Sequence, residues 1–355
     1  MSLRTALYDL HVAAGAKIVP FAGWDMPLNY GSQIEEHTAV RKRAGMFDVS
    51  HMTIVDMPGV GAEPFLEKVV ANDVGRLGSS GRAIYGVLLN ESAGILDDLI
   101  VYRRHIGYRA VVNAATRDKV LAWFRQQGGP KLEIKERRDL AMIALQGPQA
   151  IDHLQRITSV DASVLSPFGA FERDEWMIAR TGYTGEDGVE IMLPALDAQR
   201  LWTHLVQAGV AQCGLAARDT LRLEAGLNLY GQDMDETTNP LESNLGWTVA
   251  WDPKDRDFIG RAALEAVRDS GVERKLTGLV LEGKGVMRHE QRVATPHGDG
   301  VITSGIFSPT LGYSIALARI PRRATGEVQV EIRGKLNPAR IVRPPFVRRG
   351  EKVFT

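Results

Sequence analysis

Short β-strand patterns fill the chain after about residue 275, and no segment of helical length interrupts them. Apolar and β-branched residues recur there in brief runs that Gly, Pro and polar residues separate. The runs that predict strands are Leu276 to Leu281, Gly300 to Phe307, Tyr313 to Arg319, Val328 to Ile332 and Ala339 to Val342. Several short strands at close spacing are typical of a small barrel or sandwich. Residues 276–355 are therefore expected to form a separate all-β domain.

Residues 1–270 mix helical and strand patterns without a regular alternation of the two. Ser32 and Glu35 form a capping-box pattern that predicts the start of an amphipathic helix. Residues 15–31, rich in Gly, Pro and aromatic side chains, are expected to form a structured loop, and residues 47–55 a single strand. This mixture predicts the α+β class.

Composition and charge exclude several classes of protein. Lys and Arg together number 43 and so do Asp and Glu, so the net charge gives no reason to expect a nucleic acid or a membrane as partner. Cys213 is the only cysteine, which excludes an intramolecular disulfide and suits a reducing compartment. No run approaches the 18 apolar residues of a membrane span, and the first ten residues lack the apolar core of a signal peptide. The expected location is the cytoplasm, or the mitochondrial matrix in a eukaryote.

Common motifs for metals and nucleotides are absent. No His-Glu-x-x-His and no paired cysteines occur, so no metal site is expected, and the scattered histidines are interpreted mostly as structural or surface residues. The run from Gly278 to Lys284 has P-loop spacing, but Gly285 follows where Ser or Thr is needed, and the run lies in a strand pattern. Neither Gly-x-Gly-x-x-Gly after a strand nor Gly-x-Ser-x-Gly is present. Bound ATP or a dinucleotide is therefore not expected.

A glycine-rich stretch from Thr181 to Ile191 joins two apolar runs. It predicts a strand, a glycine-hinged loop and a second strand, and glycine lets a backbone approach a ligand closely. Glu190 follows Val189 and therefore begins the second strand. A carboxylate fixed there beside Tyr183 could hold a flat heterocycle that has N–H donors. A polar hairpin turn is the alternative interpretation.

Two adjacent acids, Asp97 and Asp98, lie inside an apolar strand pattern over residues 94–102. Successive strand residues point to opposite faces, so the two acids do not form a dyad. Apolar neighbours on both faces predict that at least one acid is partly buried, which is costly for an ionised carboxylate unless it is paired. A functional role is favoured. The alternative is that both acids accept hydrogen bonds from loop amides or an arginine.

Residues 214–226 predict a helix that a glycine ends. Arg218 and Arg222 are four apart and share a face, and Arg222 can also approach Asp219. Spacing alone favours a helix that pairs its own charges. An acidic, glycine-containing loop follows, and then a pair of tryptophans that begins with Trp247. The pair either seals a domain contact or walls an aromatic ligand.

Six motifs occur in one order along the chain: Phe21 to Trp24, Phe47 to Met52, Leu96 to Leu99, Leu145 to Pro148, Gly182 to Gly188 and Ala217 to Gly226. Each motif is weak alone. Together, over nearly the whole chain, they resemble the T protein of the glycine cleavage system, a folate-dependent aminomethyltransferase. The resemblance implies a three-domain cloverleaf around a central folate site. Residues 1–270 would hold two interleaved α+β subdomains, and residues 276–355 the C-terminal β-barrel.

The resemblance also implies a reaction and its partners. An aminomethyl group would arrive on the dihydrolipoyl arm of the H protein. Tetrahydrofolate, as co-substrate, would take the one-carbon unit and become 5,10-methylenetetrahydrofolate, with release of ammonia and the reduced lipoyl arm.

The same resemblance implies site residues. Asp98 matches the family's key acid near N5 and N10 of the folate, and Glu190 matches the acceptor of N–H bonds from the pterin edge. Arg218 matches a binding arginine that holds an acid or the folate tail. Cavity-lining positions fall at Tyr85, Asn113, Tyr183 and Trp247, with Met52 as a weaker candidate.

Two related activities are alternatives. A folate-dependent demethylase uses the same folate module, in some cases fused to a flavin-dependent oxidase, but these residues include no flavin-binding portion. A non-enzymatic folate-binding relative linked to iron–sulfur maintenance carries a Lys-Gly-Cys-aromatic-x-Gly-Gln-Glu stretch. Cys213 follows Gln212 and lies in no such stretch, so the enzyme is favoured.

Charge is sorted along the chain although the whole is neutral. From residue 319 to residue 355 there are ten basic and three acidic residues, a net charge of +7. A solvated barrel surface is one interpretation. Because the family's H protein is usually acidic, the other is that part of this segment helps to dock it, with Arg348 and Arg349 as the candidates to test.

Overall fold

The computed structural model describes residues 2–354, and its backbone divides into two compact units. The first unit consists of the segment that ends at Glu67 together with Val74–Tyr85 and Leu99–Asp219. The second unit consists of Lys68–Asp73, Gly86–Asp98 and the segment that begins at Thr220.

The part of the chain up to Glu224 contains both helices and short strands, in no regular alternation. Its helices are α1 Tyr8–Ala13, α2 Gln33–Lys42, α3 Ala62–Val69, α4 Arg117–Gln127, α5 Ala150–Thr158, α6 Ala195–Gln207 and α7 Leu215–Glu224. Its strands are β1 Lys17–Phe21, β2 Trp24–Asn29, β3 Gly45–Asp48, β4 Thr53–Met57, β5 Arg82–Leu89, β6 Ile95–Arg103, β7 Tyr108–Val112, β8 Lys135–Glu136, β9 Leu140–Gln146, β10 Ala170–Arg173, β11 Trp176–Ala179, β12 Gly188–Pro194 and β13 Ala211–Gln212. Short 3₁₀ helices cover Val74–Leu77 and Ala162–Val164.

A six-stranded sheet with the order β10-β11-β12-β9-β3-β13 carries the main core of the first unit. Strand β12 pairs with β9 in antiparallel register along its whole length. Val189, Ile191 and Leu193 point to the face that packs in the core with Leu201 and other residues of α5 and α6. Because side chains alternate along a strand, Glu190 points to the opposite face of the sheet.

A five-stranded sheet has the order β5-β6-β7-β4-β8. Its central strand β7 is antiparallel to β6 and to β4, and Val112 pairs with both Leu99 and Thr53. Met52 precedes Thr53 and Asn113 follows Val112, so these two residues lie at the same end of the paired strands.

Six strands of the second unit form a closed β-barrel: β14 Arg274–Leu281, β15 Arg292–Thr295, β16 Gly298–Phe307, β17 Ser314–Pro321, β18 Glu327–Ile332 and β19 Lys335–Val342. Their order around the barrel is β14-β17-β16-β15-β18-β19. The barrel interior is apolar and includes Leu279, Ile302, Ile320 and Val330. The predicted α+β class and C-terminal barrel are confirmed. The remaining elements are the 3₁₀ helix Gly246–Thr248, α8 Arg261–Ser270, β20 Val347–Arg348 and β21 Glu351–Lys352.

The predicted helix after Ser32 is confirmed, and its cap has the expected geometry. The hydroxyl oxygen of Ser32 accepts a hydrogen bond from the backbone N–H of Glu35 at 3.3 Å, which satisfies one of the free donors at the start of α2.

Two local predictions were wrong. Within residues 15–31, predicted as a loop, residues 17–29 form the antiparallel hairpin of β1 and β2, and Gly23 at its turn has a left-handed backbone conformation (φ +83°). Residues 47–55 are not one strand, because β3 ends at Asp48. Its carboxylate accepts a hydrogen bond from the backbone N–H of Ser50 at 2.9 Å, and this local turn breaks a β-branched run that otherwise reads as continuous.

Residues 2–354 contain neither a membrane-spanning helix nor a cluster of metal-binding side chains. No helix there has the length and apolar character that crossing a membrane requires. Within the same residues there is no group of three or more His, Cys, Asp or Glu side chains that could hold a metal ion.

Candidate functional site

A buried carboxylate lies where β12 leaves the glycine-rich loop. Glu190 has only 6% of its surface exposed, and the hydroxyl of Thr181 donates a hydrogen bond to its Oε2 at 2.6 Å. Burial raises the pKa of Glu190, while the hydrogen bond from Thr181 and the positive charge of Arg218 oppose the rise. The side chain is thus an acceptor held in a poorly hydrated place.

Arg218 stands close to Glu190 and against an aromatic ring. Its guanidinium carbon lies 4.7 Å from the centroid of the Tyr183 ring, a cation–π distance. Burial lowers the pKa of Arg218, and the negative charge of Glu190 opposes that shift. Nη1 of Arg218 is buried and has no hydrogen-bond partner among residues 2–354. An unpaired buried donor of this kind costs about 1–3 kcal/mol, so an added acceptor there would be stabilising.

His51 contributes a second buried nitrogen to the surroundings of Arg218. The residue is 4% exposed, and within the described chain its Nδ1 has no hydrogen-bond partner. Burial and the nearby Arg218 charge lower its pKa to about 4, while Asp48 opposes the shift. His51 is therefore neutral near pH 7. Its ring packs edge-on against Phe21, with the ring centroids 5.5 Å apart.

The loop between β11 and β12 is held by side chains of other elements. The Gln146 amide donates hydrogen bonds to the carbonyls of Thr181 and Val189, and its Oε1 accepts one from the Thr184 hydroxyl at 2.9 Å. A Cβ at position 182 would lie 2.0 Å from Oε1 of Gln146, so only glycine fits there. Arg41 adds a bond to the Thr184 carbonyl at 2.6 Å. The loop that carries Tyr183 is therefore rigid, as a binding wall requires.

The other residues of the first unit that were predicted to line the folate cavity are all partly buried. Tyr85 lies in β5, and Met52 and Asn113 lie at the common end of β4 and β7. The Asn113 carbonyl accepts a hydrogen bond from Thr116 at 3.0 Å. The structure thus brings Glu190, Arg218 and Tyr183 together around one point, and it places Met52 and Asn113 together at one end of the five-stranded sheet.

Asp98 and Trp247 belong to the second unit. Asp98 is partly buried in β6, while its neighbour Asp97 is completely buried. The prediction that at least one of the two acids is buried is therefore confirmed. Trp247 lies in a single turn of 3₁₀ helix and exposes 69% of its surface.

Three residues near Glu190 and Arg218 carried no functional signal in the sequence. Tyr102 is fully buried, and its hydroxyl lies 3.3 Å from that of Thr181. Thr181 and His51 were visible only as members of longer motifs. The single Gly-Tyr-Thr-Gly segment at residues 182–185 could have pointed to Thr181, because the residue before a loop that folds back can lie close to an acid at the start of the next strand. Nothing local could have found Tyr102.

The site combines two opposite charges, those of Glu190 and Arg218, with buried polar atoms that can still form hydrogen bonds. The site has a buried carboxylate, an aromatic wall and a buried guanidinium whose Nη1 has no hydrogen-bond partner in the described part of the chain. These groups suit a flat heterocycle that has both donors and acceptors. Glu190, Arg218 and Tyr183 are not a set of side chains that favours binding of a metal ion.

Family models match both parts of the chain. The model described as the GCVT N-terminal domain matches residues 7–253, and the model described as the glycine cleavage T-protein C-terminal barrel domain matches residues 274–348. Curated relatives of the chain bear the name aminomethyltransferase. One, from Alcanivorax borkumensis, is 58% identical and covers 100% of this chain and 99% of its own length. Another, from Chromobacterium violaceum, is 54% identical over 99% of this chain and 98% of its own.

A solved structure agrees over the same span. The glycine cleavage system aminomethyltransferase T from Bartonella henselae superposes with a TM-score of 0.93 at 36% identity, over 98% of this chain and 99% of that one. Its mixed α and β architecture and terminal barrel correspond to those described above. On the family models and the identity of its relatives, the chain belongs to the glycine cleavage T-protein family of aminomethyltransferases.

Proposed function

We propose that this aminomethyltransferase moves the one-carbon unit of an aminomethylated, lipoyl-bearing H protein to tetrahydrofolate. The carbon loses its bonds to sulfur and to the amino nitrogen and gains bonds to N5 and N10 of the folate. Ammonia and the thiol of the lipoyl arm take up the two protons that N5 and N10 release.

The observation that carries the proposal is the Glu190 and Arg218 pair. The carboxylate accepts hydrogen bonds from N–H groups of the pterin edge, and the buried Nη1 of Arg218 donates to an oxygen of the folate. Tyr183 walls the ring system, with Tyr85, Asn113 and Met52 as further lining residues and Trp247 as an exposed aromatic surface. A flat, amphiphilic heterocycle fits these groups better than a sugar or a phosphate does.

Asp98 is the proposed catalytic residue. A carboxylate beside N5 and N10 orients the attacking amine and stabilises the positive charge that develops on the transferred carbon as ammonia leaves. The strand position of Asp98 in β6 favours this role, because a group on a rigid strand keeps its orientation during the reaction.

The partner assignment rests on the family and on charge. An acidic lipoyl-bearing protein is favoured by the excess of ten basic over three acidic residues after residue 318. Nucleic acid is not proposed, since the chain as a whole is neutral. The cytoplasmic location and the division of the chain into domains at residues 1–270 and 276–355 remain predictions.

The decisive experiment measures ammonia release from aminomethylated H protein with and without tetrahydrofolate. Release that depends on both supports the proposal. Calorimetry with tetrahydrofolate alone provides a second readout that needs no partner. Turnover that is indifferent to folate, together with no measurable folate binding, would contradict the proposal.

A further inference from the structure

A line of three hydrogen-bonding side chains runs into the acid of the site. The Tyr102 hydroxyl lies 3.3 Å from Oγ1 of Thr181, and Oγ1 lies 2.6 Å from Oε2 of Glu190. None of the three residues has more than 8% of its surface exposed. The line crosses from the five-stranded sheet to the six-stranded sheet within the first unit, since Tyr102 lies in β6 and Glu190 in β12.

The direction of the hydrogen bonds follows from counting hydrogens. Thr181 has one hydroxyl hydrogen, and the carboxylate of Glu190 can only accept, so that hydrogen lies between Oγ1 and Oε2. Tyr102 must then donate to Oγ1. Burial and the negative charge of Glu190 raise the pKa of Tyr102, so this donor keeps its proton throughout the working range of pH. A chain of donors that all point one way strengthens the last bond.

This arrangement affects Arg218 as well. Glu190 receives a hydrogen bond from Thr181, while Nη1 of Arg218 has no partner among residues 2–354. A direct bidentate bond between the two would occupy the acceptor and the donor at once. With a neutral hydroxyl bonded to Oε2, the carboxylate is held in place without consuming the donor on Arg218.

We propose that Thr181 and Tyr102 are positioning residues, which orient Glu190 and leave both its second oxygen and the guanidinium of Arg218 to the folate. The proposal rests on the folate site described above. Thr181 contacts Glu190 and Tyr102 contacts Thr181, so the proposed role of both residues does not involve contact with the reacting atoms. Its consequence is that folate affinity depends on two hydroxyl groups behind the binding surface.

The test compares variants that differ by one polar atom. Thr181→Val keeps the shape of the side chain and removes the hydroxyl, Thr181→Ser restores the hydroxyl, and Tyr102→Phe removes only the first donor. We expect Thr181→Val to raise the dissociation constant of tetrahydrofolate about tenfold, as for the loss of a hydrogen bond to a charged group. Tyr102→Phe should raise it about threefold, and Thr181→Ser should restore most of the affinity. The KM for folate should follow these values while kcat stays near normal.

The pH dependence of folate binding separates positioning from a merely structural role. The charged and titratable groups that act on Glu190 are Arg218 and Tyr102. Because the Thr181 hydrogen bond lowers the pKa of Glu190, its removal should make folate affinity fall at a higher pH than in the parent protein. Thr203→Val is the matched control, because the hydroxyl of this exposed residue donates to the Gln199 carbonyl of its own helix, α6, at 2.8 Å.

The results distinguish this proposal from the one on which it rests. If Glu190→Ala weakens folate binding while Thr181→Val and Tyr102→Phe bind with parent affinity and an unshifted pH profile, the positioning role is wrong and the site stands. If Glu190→Ala itself leaves the affinity unchanged, the folate site is wrong. Should Thr181→Val fail to fold, Tyr102→Phe still decides the question through the same two measurements.

Discussion

Nη1 of Arg222 donates a hydrogen bond to Oδ2 of Asp233 at 2.7 Å, and both side chains are almost entirely buried, at 2% and 0% exposure. The same carboxylate also accepts hydrogen bonds from Ser304 at 2.9 Å and from Thr303 at 2.5 Å. The helix that carries Arg222 is therefore tied to the loop after it and to strand β16 of the barrel. Breaking such a pair leaves an uncompensated charge in the interior.

We expect Asp233→Asn to lower the free energy of unfolding by about 3–5 kcal/mol, because Arg222 then keeps its charge without a counterion. Urea unfolding measures the loss. The control is Asp269→Asn, the same substitution in the exposed pair with Arg268 (71% and 44% side-chain exposure), which should leave the midpoint nearly unchanged. Equal midpoints for Asp233→Asn and the parent would contradict the prediction.

Asp98→Asn should remove most activity and keep the fold. The amide has nearly the same shape but no charge to stabilise the positive carbon, and a group of this kind is worth about 10² to 10⁴ in rate. Steady-state ammonia release measures kcat, with the thermal midpoint and the tetrahydrofolate dissociation constant as controls. Near-normal kcat in this variant would show that Asp98 is not the catalytic acid.

Glu190→Ala should act on binding instead of on turnover. The pterin N–H donors lose a charged acceptor, which costs about 1.5–3 kcal/mol or roughly a 10- to 150-fold rise in the dissociation constant. Calorimetric titration with tetrahydrofolate measures it. Glu175→Ala, which removes an exposed acid from the turn before β11, is the matched control. A titration in which both variants bind like the parent protein would exclude Glu190 from the site.

His51 should make stability depend on pH in a defined window. Burial and the Arg218 charge lower its pKa to about 4 in the folded chain, while Asp48 opposes the shift; an unfolded histidine titrates near 6.5. Between these values the unfolded state binds the extra proton, so stability should rise as pH increases from about 4 to about 6.5 and then level off.

The measurement is the urea midpoint at several pH values for the parent protein and for His51→Gln. The variant should show a shallower rise over this window, because it has no imidazole to protonate on unfolding. His204→Gln, at an exposed position in α6, is the control. Parallel curves for the parent and His51→Gln would contradict the assignment.

Arg348 and Arg349 are the basic residues to test for docking of the H protein. Both are exposed, whereas Arg319 of the same segment is buried and donates to the carbonyls of Asp233 and Glu242, so it is committed to the fold. Replacing both Arg348 and Arg349 by Glu should raise the apparent KM for H protein at low salt, and the effect should become smaller as the salt concentration rises. Free folate binding should not change.

The control for this experiment reverses the same number of charges elsewhere. Arg125→Glu with Lys131→Glu changes two exposed basic residues of the first unit. An unchanged KM at low salt for the Arg348 and Arg349 variant, or an equal rise for both double variants, would show that docking uses another face or only the net charge.

The sequence alone was sufficient where the cause of a structure is local. Ser32 and Glu35 specify a cap within four residues, and alternating apolar residues specify strand β12 and put Glu190 on the face opposite Val189 and Ile191. Five of the six barrel strands were predicted for the same reason, whereas β15 was missed. Local patterns misplaced the hairpin of residues 17–29 and the end of β3 at Asp48, because strand pairing and a turn made by one side chain leave no periodic signal.

Tertiary structure decided which groups meet. Thr181 reaches Glu190 nine positions away only because a loop folds back between two antiparallel strands, and Tyr102 reaches Thr181 across 79 positions. Helix spacing predicts that Arg218 and Arg222 share a face, and spacing alone favours a helix that pairs its own charges. In the fold Arg222 forms an ion pair with Asp233, while Arg218 packs on Tyr183 and its buried Nη1 has no hydrogen-bond partner within residues 2–354. Residue type and spacing determine which faces are apolar, but hydrogen-bond partners depend on distances of about 3 Å between segments far apart in the chain.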